Sequence, residues 1–160
     1  MIEGLFLVVL LGLSAFFSGS ETALIALSRG RADALAGAGR PGARSLQQLK
    51  ENPSRMLVAI LIGNNLVNIS ASALATVLAT RAFGSIGPGI AVGGLTVVIL
   101  IFGEITPKSL ATRYSERISL AVAPVILALV HITAPVSRVF EYFIRNTASP
   151  GAGEDPTVTE

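Results

Sequence analysis

Asn64, Asn68 and Ser72 stand four residues apart. On a helix that spacing puts all three on one face. Ser18 and Ser20 form a second polar set inside an apolar run. A lone carboxylate, Glu104, sits within Gly103-Glu104-Ile105-Thr106-Pro107-Lys108. Pro107 has no N–H, so the carbonyl of Gly103, four residues back, is freed beside that carboxylate. Carboxylate, amide, hydroxyl and carbonyl oxygens are hard ligands, suited to Mg²⁺, Ca²⁺ or Na⁺. One carboxylate leaves a divalent site net positive, which is compatible with reversible binding. The chain has no cysteine and one histidine, His131. Disulfides, thiolate metal sites, haem and zinc chemistry are therefore disfavoured. His131 reads as an interfacial residue. With no paired intramembrane aspartates and no HExxH motif, the chain is not expected to be an enzyme.

The elements holding these groups are apolar throughout. Hydrophobic residues make up 51% of the 160 and charged residues 14%, against about a quarter charged in soluble domains. Residues 56–80, 82–103, 118–137 and 4–20 carry no Lys, Arg, Asp or Glu, in runs of 25, 22, 20 and 17. About 20 such residues cross a bilayer as a helix. The expectation is an all-α membrane protein, with spans near 2–27, 55–80 and 86–107. The first run is not read as a cleaved signal. It has Glu3 where a signal has Lys or Arg, lacks a small-x-small site, and continues at helical density to Leu27.

Eleven of the twelve basic residues then fall on one side, with Arg81 alone on the other. By the positive-inside rule the N-terminus is outside, and residues 28–55 and the C-terminus are cytoplasmic, with the chain multi-pass in the cell membrane. The segment 118–137 is long enough to cross, but that would carry Arg138 and Arg145 outside. A helix lying in the interface keeps them inside and is the preferred reading. Two short inner-surface helices, residues 29–35 and 43–50, are expected around the break Gly37-Ala-Gly39-Arg-Pro41-Gly42. Their arginines either bind anionic lipid or are solvated. Residues 148–160 read as a linker, and residues 1–147 as the membrane part of a longer protein.

Polar groups inside a span cost free energy, so each is a candidate for function. At 1.5 Å per residue, Ser18 and Ser20, Asn64 and Glu104 all reach roughly 12–15 Å above the inner surface. Asn65 is turned about 100° from the stripe and is expected to bond a neighbouring helix. Gly89 and Gly93 form a GxxxG pair suited to close helix packing. Two bland readings stand beside the ion pocket. The asparagines and serines stitch spans together, or Glu104 pairs with Lys108 one turn on.

Three motifs, in order, resemble the transmembrane domain of the CorC/CNNM magnesium transporters. They are Ser18-Gly-Ser-Glu-Thr-Ala-Leu24, the stretch Asn52-Pro-Ser-Arg-Met-Leu to Ile62-Gly-Asn-Asn-Leu-Val-Asn68, and Gly103-Glu-Ile-Thr-Pro-Lys108. The resemblance covers about residues 1–145. It implies a homodimer with three spans and juxtamembrane helices in a belt at the inner surface, 29–50 and 108–145. It also implies cytosolic CBS-pair and CorC-type domains beyond this chain, which bind ATP in the family. Residue by residue, it implies Mg²⁺ held by Ser20, Asn64, Asn68 and Glu104, then Ser72 and the Gly103 carbonyl, with Ser18 as a neighbour. Na⁺-coupled export is suggested for the family. No nucleic-acid partner is expected. The alternative function is a membrane anchor and dimeriser for the cytosolic domains.

Overall fold

The computed structural model describes residues 2–147, with side chains to residue 135. Every described element is helical: α1 (Ile2–Ala26), α2 (Arg29–Gly37), α3 (Ala43–Glu51), α4 (Pro53–Phe83), α5 (Gly87–Val98), a π-helical segment (Ile99–Ile105), α6 (Thr106–Arg113) and α7 (Ser115–Thr147). The linker reading of residues 148–160 lies outside the described residues.

Three helical runs are long and apolar enough to cross a membrane: Ile2–Ala26, Pro53–Arg113 and Ser115–Pro135. The second, 61 residues, is too long for one crossing. It folds into a hairpin at Gly84–Ile86. Gly84 turns the chain at φ +65°, and the next glycine lets α5 press on α4. A Cβ at Gly87 would come within 2.6 Å of the Thr80 Cα. The bundle is therefore α1 against a hairpin of α4 and the α5–π–α6 leg.

Its surface is the reverse of a soluble domain's. Ile2, Leu5, Val8, Leu66, Ile69, Val92 and Phe102 are all more than 60% exposed. The most buried side chains include Ser14, Ser18 and Ser20. An apolar exterior around an apolar core that admits a few buried serines is an arrangement a hydrocarbon solvent tolerates. The small residues that permit contact are not the expected pair. Gly89 and Gly93 have nothing within 4 Å of a Cβ among the described residues, whereas Gly63 lies against the Phe17 ring and Gly103 against Ser14.

The two ends differ in charge. At one, Arg81 at the end of α4 pairs with Glu3 at the start of α1 (2.6 Å). The other end holds α2, α3 and α7. Arg31 reaches Glu116 of α7 (2.8 Å), and Gln47 of α3 donates to Asp33 of α2. The α2–α3 turn sits on Leu120 of α7. Further along α7, Leu127, Val130 and His131 share a cavity with Leu49, Asn52 and Met56. Residues 116–134 of α7 thus run beside the 28–56 connection, along the basic end of the bundle.

Lys50 joins these layers. Its ammonium, on α3, donates to the Leu24 carbonyl in the last turn of α1, a turn with no basic residue of its own. A cation there complements the negative end of the helix dipole. Burial pushes the Lys50 pKa below its ordinary 10.5. Between that lowered value and 10.5 the unfolded chain holds more proton than the folded one. Stability should therefore rise as pH climbs through this window, and the charged form should bear the full desolvation cost below it. Melting of wild type and Lys50→Met from neutral to alkaline pH checks this. The gap between them should change only in that window, and a pH-independent gap would contradict it.

Candidate functional site

The expected ligands come from three elements, and three close approaches set their relative height. Gly103 lies against Ser14, Pro107 lies 3.5 Å from a Cβ placed on Gly19, and Gly63 lies against Phe17. These contacts bring Ser18, Asn64 and Glu104 within about one helical turn of a common level. Ser14 and Ser18, four residues apart, lie on the side of α1 that meets the π segment. Ser20, three residues beyond Phe17, lies on the side that meets α4.

Helical hydroxyls in this chain usually bond back to the carbonyl four residues earlier, as Thr22, Ser70, Thr76, Thr80 and Thr96 all do. This is the ordinary habit of Ser and Thr in helices. Ser14, Ser18 and Ser20 on α1, and Ser119 on α7, break it. Their Oγ atoms are buried without a hydrogen-bond partner, and so are the Oδ1 atoms of Asn64 and Asn68. Each such atom costs about 1–3 kcal/mol if left alone. Five on two facing helices amount to a large share of a domain's usual 5–15 kcal/mol of stability. A partner from outside the chain, able to be shared by several oxygens, removes that cost.

The stripe on α4 continues from these half-buried asparagines, whose Oδ1 atoms are covered, to open ground. Ser72 is exposed, unlike Asn64 and Asn68, and lines a cavity of about 270 Å³ with Thr76, Leu95, Thr96, Ile99 and Glu104. Glu104 is half-buried there and forms no ion pair among the described residues, so Lys108 does not neutralise it. Asn65 is exposed, off the stripe, and its side chain bonds no other helix among the described residues.

Pro107 opens the backbone beside Glu104 more widely than its own missing N–H requires. The chain passes through seven residues of π-helix, and the Thr106 N–H bonds the Ile101 carbonyl, five residues back. Phe102 O loses its α-helical donor to that shift, and Gly103 O loses its own to the proline. Both carbonyls flank the carboxylate in sequence. No group of three or more His, Cys, Asp or Glu able to hold a metal occurs among the described residues. Neutral oxygens would therefore have to make up most of the ligands of a cation held here.

The family model for the cyclin M (CNNM) transmembrane N-terminal domain matches residues 5–160. The chain belongs to the CNNM transmembrane-domain family. Among its relatives is a UPF0053 protein of Haemophilus influenzae, 43% identical over 140 residues, covering 88% of this chain and 33% of that protein. The UPF0053 inner membrane protein YfjD of Escherichia coli is 45% identical over 107 residues, covering 67% of this chain and 25% of its own. A chloroplastic DUF21 domain-containing protein of Arabidopsis thaliana is 42% identical over 140 residues, 88% of this chain and 21% of its own. The chain thus spans between a fifth and a third of the length of these relatives. With its apolar helices, this makes it a multi-pass membrane domain of the CNNM family.

Sequence reasoning overlooked Ser14, Thr76, Thr96 and the Phe102 carbonyl. Ser14 precedes Ser18 by four residues, a signal that was available. The π segment had none beyond Pro107.

Proposed function

We propose that this CNNM domain carries Mg²⁺ across the membrane, through a site formed by Ser20, Asn64, Asn68 and Glu104 with the Gly103 carbonyl. Ser14 and Ser18 adjoin the site, and Ser72 stands at its outer edge. The observation that carries this reading is the set of buried, unpartnered serine and asparagine oxygens on α1 and α4, level with a carboxylate that no cation among the described residues neutralises. Mg²⁺ accepts six hard oxygens and gives up its waters reluctantly. Neutral oxygens with one carboxylate replace part of that shell and still release the ion. No bond is made or broken.

Arg81, neutralised by Glu3, fits an outer end, and the basic α2, α3 and α7 fit the inner surface. In that frame α7 lies along the interface and does not cross. A homodimer, an attached cytosolic CBS-pair region and outward movement coupled to Na⁺ complete the reading, as the family resemblance implies.

The test is Mg²⁺ flux into liposomes carrying an internal Mg²⁺ indicator, for wild type and Asn68→Ala. We expect flux to fall close to that of empty vesicles, while the variant still folds. Unchanged flux with a lowered melting temperature would make the stripe interhelical glue and the domain an anchor.

A further inference from the structure

Beside the α2–α3 turn lies a groove of about 420 Å³. Arg40 and Arg117 stand at its rim, and Leu120, Ala121 and Pro124 form its floor. We propose that this groove is a binding site for an anionic phospholipid, its phosphate held between Arg40 and Arg117.

The two arginines are far apart in sequence and are brought together by a fixed contact. Pro124 has no N–H to give the Leu120 carbonyl, four residues back. That carbonyl turns to Gly42, which sits on it at φ +79°, so closely that a Cβ would overlap the oxygen. The α2–α3 turn is thereby seated on α7 and Arg40 is placed over the groove.

Charge complementarity selects the occupant. Arg40 and Arg117 are both exposed, and neither guanidinium has an ion pair or hydrogen bond among the described residues. No acidic residue lines the groove. The nearest carboxylate in sequence, Glu116, is taken by Arg31. Guanidinium forks match the oxygens of a phosphodiester.

The floor then distinguishes a lipid from a free phosphate. Ala121, Val125, Ala128 and Ile132, spaced by four, three and four residues, make an exposed apolar face that starts one turn after Arg117. Val125 is 55% exposed and Ile132 73%. Basic groups bordering such a face are what a helix at an anionic membrane surface presents. The site would tie α7 and the α2–α3 turn to the inner leaflet. It uses none of the residues assigned to the ion, so it stands or falls separately.

Native mass spectrometry of the chain, released from detergent containing equal phosphatidylglycerol and phosphatidylcholine, tests the proposal. Wild type should retain phosphatidylglycerol preferentially. Arg40→Gln/Arg117→Gln should bind it roughly thirtyfold more weakly, two basic contacts at the strength usual at an anionic surface. Arg29→Gln/Arg44→Gln, which removes the same charge from exposed positions outside the groove, should stay within about twofold. Ala121→Glu, an exposed change that puts a negative charge on the floor, should reproduce the loss if the double variant fails to fold. Equal loss in both double variants would replace the site with diffuse attraction. Equal retention of both lipids would overturn the proposal. So would displacement of phosphatidylglycerol by millimolar inorganic phosphate, which would make the groove a free-anion site.

Discussion

Glu104→Gln is expected to abolish Mg²⁺ binding and, in the absence of Mg²⁺, to leave the protein as stable as wild type or more so. The two effects have opposite signs because they have different causes. A carboxylate inside a membrane bundle with no cation beside it is costly, and the neutral, isosteric amide lifts that cost. The same change removes the charge that would face the ion in the proposed site. Even a net loss of ~3 kcal/mol is a factor of more than ~100 in affinity. Glu104 makes no ion pair among the described residues, so the variant breaks no salt bridge. Melting curves of both proteins in EDTA and in excess MgCl₂ read both effects. A variant that melts lower in EDTA and still gains from Mg²⁺ would show that Glu104 has a structural partner and no part in the site.

Gly42→Ala is expected to cost about 3–5 kcal/mol, with Gly39→Ala as its control. Both glycines are left-handed, at φ +79° and +67°. A side chain in that conformation alone costs roughly 1–2 kcal/mol. Gly39 has nothing within 4 Å of a Cβ, whereas at Gly42 the Cβ would overlap the Leu120 oxygen and lie 3.0 Å from its carbon. The obstacle is backbone within α7, which has no rotamer to yield. The extra cost at Gly42 is therefore that of lifting the turn from α7, at the upper end for overpacking. Denaturation of the two variants side by side isolates it, and equal costs would mean that the turn does not hold α7.

How far the sequence foretold this structure follows from which signals are local. Charge-free runs of about 20 residues announce apolar helices because a bilayer imposes their length. The α2–α3 break was legible because Gly39, Pro41 and Gly42 punctuate the backbone directly. The i, i+4 stripe of Asn64, Asn68 and Ser72 is likewise a local pattern, as is the proline that disturbs the helix after Glu104.

What depended on contacts was not legible. Nothing in Ser14 or Ser18 says that their hydroxyls turn from the backbone, since Thr22 and Thr76 on similar helices do not. The stripe gave no hint that the Asn68 Oδ1 is covered and Ser72 exposed, because burial depends on where α5 crosses α4. The GxxxG glycines suggested packing that this protomer makes through Gly63, Gly87 and Gly103. For α7, composition admitted both crossing and lying flat. Its partners Arg31 and Gly42, far away in sequence, could not be foretold, and Ser115–Pro135 is still long and apolar enough to cross.

The central claim is that the buried oxygens of α1 and α4, with Glu104, form a divalent cation site. The most direct measurement is the melting temperature of the wild-type chain in detergent against MgCl₂, with CaCl₂ and NaCl at matched ionic strength. A ligand bound only by the folded state stabilises by RT ln(1 + [L]/Kd). The account predicts a rise with Mg²⁺ that continues logarithmically above Kd and exceeds that with Ca²⁺ and Na⁺. A curve as flat in MgCl₂ as in NaCl would contradict it.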